Sequence, residues 1–190
     1  ERLLCQKSGT VSPYANDVTQ LVTVGRLSPE KHMENIIYAA GELKKAGYQF
    51  QWHIIGNGTQ RNELEILRKK EQITDCVFFE GAKRNPYPYM KYADLYVHPS
   101  YVESQGLTIL EAMALHLPCV VTISRGPGEF IEDGVNGLLT EQSPQALTAG
   151  VKRMLEDRKL YNKIQSASVC PERFRAAEVM RKIYELFGQI

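Results

Sequence analysis

Arg26 and Lys31 bracket Leu27-Ser28-Pro29-Glu30, where an apolar run ending in Gly25 gives way to a tight turn and a helix start. A guanidinium fork matches phosphate oxygens and an ammonium adds a point charge, so the pair suits a phosphorylated group. A second constellation is Glu103-Ser-Gln-Gly106-Leu-Thr-Ile-Leu-Glu111, which follows the turn His98-Pro99-Ser100. Gly106, Leu107 and Thr108 open a predicted helix, whose first amides lack internal acceptors and face an anion favourably. Glu111, about one turn inside, can accept two hydrogen bonds from a vicinal diol. Glu103, in the preceding loop, would face hydroxyls at the phosphate end. Each residue also has an ordinary reading. Arg26 and Lys31 read as solvated surface cations, and the glutamates as acids favoured by a helix dipole.

Two glycine clusters are less specific. Gly56-Asn57-Gly58-Thr59-Gln60-Arg61 resembles a dinucleotide fingerprint, but Arg61 occupies the third glycine position and the motif follows the second strand. Its glycines allow close backbone approach to a ligand, or a tight turn. Gly126-Pro127-Gly128-Glu129 adds amides near the same edge, and a simple turn explains it equally well.

Other chemistries are disfavoured. The cysteines, Cys5, Cys76, Cys119 and Cys170, form no Cys-x-x-Cys pair, and His32, His53, His98 and His116 lack metal-ligand spacing. No metal site and no disulfide framework is therefore expected, and a reducing, cytoplasmic setting is the simplest fit. With 23 Lys plus Arg against 22 Asp plus Glu there is no overall basic field for nucleic acid or an acidic membrane. Apolar runs are strand-length, far short of the roughly 20 residues that cross a bilayer. Glu1–Lys7 do not read as a signal peptide, and suggest a start cut from something longer.

The elements that must position these residues alternate. Predicted strands are Leu21–Gly25, Phe50–Gly56, Cys76–Gly81, Leu95–Pro99, Cys119–Ile123 and Gly137–Thr140. Predicted helices are Pro29–Ala46, Gln60–Glu71, Pro88–Tyr92, Leu107–His116, Gly128–Glu132, Pro144–Glu156, Asp157–Ser168 and Glu172–Leu186. Continuous apolar strands alternating with helices imply an α/β fold: a Rossmann-like, doubly wound parallel sheet of about six strands with flanking helices. Ser28 and Pro29 mark the start of the first helix and Gly47 its end. Lys31 would then sit in the first turn against the macrodipole, a cost more easily understood if an anion binds there.

In order, VGRLSPEK, IIGNG, VFFEGA, ADLYVHPS, ESQGLTILEAMA, LPCVV, GPGEFI and GVNGLL resemble the C-terminal, donor-binding domain of retaining glycosyltransferases with the GT-B fold. The match is to their group 1, family 4 type and covers Leu21 to about Glu156. Glu103 and Glu111, with seven residues between them, match that family's paired glutamates. The resemblance implies a UDP-, GDP- or ADP-linked sugar as donor and no metal cofactor. It also implies retention of anomeric configuration and an acceptor docked on an N-terminal domain absent from this chain. Arg26, Lys31 and the Leu107 and Thr108 amides would neutralise the diphosphate, Glu111 would hold the ribose, and Glu103 the donor sugar. Ala82 and Lys83 would flank the base, with Gly25, Gly56 and Gly106 lining the cleft. The chain departs from the pattern at Gln105, usually aromatic or aliphatic, and at His116, often Gly. A nucleotide-sugar epimerase half and a non-catalytic nucleotide-binding module remain as alternatives. The enzyme would be cytoplasmic, with the full-length protein peripheral at a membrane as in many relatives.

Overall fold

The computed structural model describes residues 12–14 and 18–174 of the chain. Six parallel strands form one sheet: β1 (Thr19–Val24), β2 (Phe50–Ile55), β3 (Val77–Gly81), β4 (Leu95–His98), β5 (Cys119–Thr122) and β6 (Leu138–Thr140), in the order β3-β2-β1-β4-β5-β6. Six α-helices connect or follow them: α1 (Glu34–Lys45), α2 (Arg61–Lys70), α3 (Tyr87–Lys91), α4 (Leu107–Ala114), α5 (Pro144–Glu156) and α6 (Arg158–Ala167). The predicted α/β fold is thus observed. The helix expected at Glu172–Leu186 falls outside the described residues beyond a 3-10 turn at Glu172–Phe174. Cys5 also lies outside them.

Successive side chains of a strand point to opposite faces, and here both faces are covered. Leu21, Ile54, Val97 and Val120 pack with Ile36 and Leu43 of α1, Leu64 of α2 and Val151 of α5. Their strand neighbours Val22, Ile55, Tyr96 and Val121 pack on the other side with Met90 of α3 and Ile109 and Met113 of α4. That two-sided burial is why the strands read as apolar runs rather than as alternations.

The sheet order reverses between β1 and β4, and ligands of open α/β sheets bind outside the strand ends at such a reversal. The loops after β1 and β4 are joined there. The Glu30 carbonyl accepts from the Tyr101 amide (3.0 Å) and the Ser100 hydroxyl (3.2 Å). The Glu103 carbonyl accepts from the Gly126 amide in the loop after β5 (2.9 Å).

The first tether corrects the expected helix Pro29–Ala46. Only a 3-10 turn forms at Pro29–Lys31, His32 enters the left-handed region at φ 46°, and α1 begins at Glu34. The carbonyl that a continuous helix would offer to Glu34 is spent on the β4 loop, and the Ser28 hydroxyl bonds the Glu30 carboxylate (2.7 Å) rather than capping an amide. Lys31 therefore closes a 3-10 turn instead of opposing a long helix dipole, and that argument for an anion falls away. The expected helix Gly128–Glu132 is likewise only a 3-10 turn, Pro127–Glu129. The Asn136 side chain bonds the Glu132 amide and Phe130 carbonyl and draws the chain into a loop. By contrast α5 starts where expected, with the Ser143 hydroxyl accepting from the Ala146 amide (3.1 Å). At the end of α4, His116 adopts φ 57°, a left-handed conformation in which a glycine would be unstrained.

Candidate functional site

Gly25 and Arg26 leave the end of β1, Lys31 closes the 3-10 turn behind them, and the β4 loop brings Glu103 across the crevice to meet Lys31. With Leu107 and Thr108 these six line a cleft of about 440 Å³. Arg26 is exposed and makes no hydrogen bond or ion pair among the described residues. Gly106 caps α4 with φ 68°, and its carbonyl accepts from Ile109 and Leu110. The Leu107 and Thr108 amides find no acceptor among the described residues, as the first turn of a helix dictates.

Glu103 is the most heavily bonded group of the cleft. Its Oε2 accepts from Lys31 Nζ at 2.6 Å and from His98 Nε2 at 3.2 Å, and its Oε1 accepts from the Gly106 amide at 3.0 Å. The His98 bond, then the Lys31 and Gly106 bonds, hold its carboxyl far below the ordinary carboxylate range against the opposing effect of burial. Burial in turn keeps the pKa of His98 below its ordinary value. The Tyr96 hydroxyl lies 2.7 Å from Thr108 Oγ1 and 3.3 Å from His98 Nδ1, which links the cleft wall to the sheet.

Other predicted site residues lie beside the cleft instead of lining it. Glu111, one turn into α4, accepts from the Tyr87 hydroxyl of α3 at 3.0 Å, and burial raises its pKa. Gly56 (φ 153°) packs on β1 so closely that a Cβ there would lie 1.8 Å from the Gly25 carbonyl oxygen. Its close approach is thus to the protein's own backbone. The amide of Gly126 is likewise committed, to Glu103. Ala82 and Lys83 are exposed in the loop after β3, with Lys83 Nζ 3.6 Å from Glu80 and over the Tyr89 ring. His98, Tyr96 and Tyr87 were not singled out from the sequence. For His98 the available signal is an imidazole ending the apolar strand Leu95–His98; Tyr87 carries none, because its partner is fixed only by the packing of α3 beside α4.

The chain matches the family described as Glycosyl transferases group 1 over residues 11–168. It is 36% identical over 141 residues to an alpha-D-kanosaminyltransferase of Streptomyces kanamyceticus, covering 72% of this chain and 36% of that protein. It is 31% identical over 119 residues to a poly(ribitol-phosphate) alpha-N-acetylglucosaminyltransferase of Staphylococcus aureus, covering 62% and 24%. The crystal structure of Anabaena HepE in complex with UDP-glucose superposes with a TM-score of 0.84 at 26% identity, covering 92% of this chain and 50% of that one. The chain thus spans half or less of the length of these relatives. The family match over most of its length, together with the sheet order and the cleft at its reversal, identifies the chain as a member of the group 1 glycosyl transferases.

Proposed function

We propose that this chain is the donor-binding part of a retaining glycosyltransferase that uses a nucleotide-diphospho-sugar in polysaccharide or glycolipid assembly. The observation that carries the reading is the convergence at one crevice of Arg26, unpaired among the described residues, two helix-opening amides and the bonded carboxylate Glu103. In this reading Arg26, Lys31 and the amides of Leu107 and Thr108 take the diphosphate. Glu111, oriented by Tyr87, takes the ribose, and Glu103 takes hydroxyls of the sugar. The loop at Ala82 and Lys83 flanks the base, Gly25 lines the nucleotide cleft, Gly56 lets the end of β2 pack against the Gly25 backbone behind it, and Gly106 opens α4 toward the diphosphate.

Cleavage of the bond between the anomeric carbon and the diphosphate oxygen leaves negative charge on the departing diphosphate and positive character on the sugar. Cations and amides fixed beforehand stabilise the first without solvent reorganisation, so no metal ion is called upon. Lys31 is available for this once it exchanges Glu103 for a phosphate oxygen. The acceptor docks on an N-terminal domain of a longer enzyme, so this chain alone binds donor and transfers little. The enzyme acts in the cytoplasm, peripheral to a membrane in its full-length form; among the described residues no helix is long and apolar enough to cross one.

Titration calorimetry with UDP, GDP and ADP tests the reading. One of the three is expected to bind at micromolar concentration, with affinity unchanged by EDTA. Absence of binding by all three would sink it. Turnover of donor sugar by the chain alone, at a rate comparable to that of a longer relative, would remove the claim that it is a half-enzyme. The anomeric configuration of the product of a full-length enzyme tests retention.

A further inference from the structure

The Lys31–Glu103 pair sets a problem that the cleft must solve. An ammonium on a four-carbon stem is mobile, and a diphosphate offers it more charge than one carboxylate does. When Lys31 turns to the diphosphate, Glu103 loses the shortest of its bonds, 2.6 Å. We propose, on the donor-binding reading above, that His98 is a positioning residue that keeps the Glu103 carboxylate aimed at the donor sugar after Lys31 has left it.

The geometry supports this in three ways. His98 Nε2 is 3.2 Å from Oε2, the same oxygen that Lys31 vacates, while the Gly106 amide keeps Oε1 at 3.0 Å. His98 cannot follow the lysine: it is the last residue of the central strand β4, registered against Val121 of β5, and its side chain is 3% exposed. Its tautomer is dictated, because an ionised carboxylate only accepts; Nε2 must carry the proton, leaving Nδ1 as an acceptor beside the Tyr96 hydroxyl at 3.3 Å.

The charge of the ring matters as much as its position. The charged or titratable groups facing it are Glu103, Lys31 and Tyr96. Burial, the largest influence, outweighs the opposing Glu103 carboxylate and favours the neutral ring, with Lys31 adding to it. A neutral donor holds Glu103 without cancelling its charge, so the carboxylate still accepts sugar hydroxyls and faces the positive character that develops on the anomeric carbon. The oxygen freed by Lys31 keeps one bond to the protein and presents its remaining lone pair to the cleft.

The test compares His98→Gln, whose amide places a donor near the Nε2 position, with His98→Leu, which has none. Binding of UDP, UDP-glucose and UDP-N-acetylglucosamine is measured by calorimetry, with thermal melts to confirm folding. His98→Leu is expected to leave UDP affinity within about twofold of wild type and to weaken the UDP-sugar that wild type prefers by about tenfold, the scale of one hydrogen bond to a charged group. His98→Gln is expected to recover most of that loss. Equal losses for UDP and UDP-sugar, or no loss for either, would overturn the role. If His98→Leu does not fold, His98→Asn, with the amide withdrawn by one carbon, takes its place under the same expectations. Wild-type chain that binds no nucleotide at all would instead refute the donor-binding reading, a distinct result.

Discussion

Lys31 and Arg26 are both cations at one cleft, yet they stand in opposite states: one is already bonded to a carboxylate and the other has no partner among the described residues. In the proposed role, Arg26 meets a diphosphate without giving up a hydrogen bond among the described residues. Arg26→Ala is expected to weaken binding of whichever nucleoside diphosphate the chain takes by about 1.5–3 kcal/mol, the scale of charge-assisted bonds, and to leave the melting temperature unchanged. Calorimetry and a thermal melt on the same variant check both halves. Glu111 carries the reverse cost. Burial raises its pKa, so its ionised form destabilises the fold; the cost is relieved as pH falls through the raised value and is gone below the ordinary value of 4.5. Glu111→Gln should raise the melting temperature by about 2 °C at pH 7, a difference that disappears at acid pH, while weakening ribonucleoside diphosphate binding more than that of inorganic pyrophosphate. At this scale charge and spacing are what single out Arg26, Lys31, Glu103 and Glu111 as candidates. That Lys31 and Glu103 bond each other, and that His98 and Tyr87 hold the two glutamates, depends on which loops meet. No spacing reveals that.

Element by element, the strands were legible because a strand covered on both faces is apolar at consecutive positions, as in Leu21-Val22 and Val120-Val121. The helix at Pro29–Ala46 was misread because local signals at Ser28 and Pro29 were correct for a turn but blind to the demand of Tyr101 and Ser100 on the Glu30 carbonyl. Tertiary hydrogen bonds won over a good helix start. The glycines separate in the same way. Gly56→Ala drives a methyl into the Gly25 carbonyl oxygen and is expected to cost more than about 3 kcal/mol, enough to lower the urea midpoint sharply. Gly128→Ala meets nothing within 4 Å at an ordinary φ and should lie within about 0.5 kcal/mol of wild type in the same denaturation series.

For the whole molecule, near-neutral charge means that recognition rests on a few placed groups and not on a long-range field. Affinity for the nucleoside diphosphate it binds, measured from 50 to 500 mM salt, is accordingly expected to fall by less than about tenfold, since contacts at hydrogen-bond distance are screened far less than distant charges. A steeper fall would point to cations outside the cleft. The sheet reversal supplies what charge does not: it sends the connections after β1 and β4 to opposite faces of the sheet and lets loops from its two halves face each other over one site. The matched portion is 36% of the kanosaminyltransferase and 50% of the HepE chain, so those relatives extend well beyond it.

The bonds that join the loops along this edge have a mechanical consequence. Glu30 is spliced to Tyr101, Glu103 to Gly126, and Leu27 to Asn57, so the segments after β1, β2, β4 and β5 form a laced collar rather than separate flaps. Slack let into one stitch is passed to the next. The amides of Leu27, Tyr101 and Gly126 should therefore trade hydrogen for deuterium at a common rate, and a ligand that grips any single loop should slow all three together.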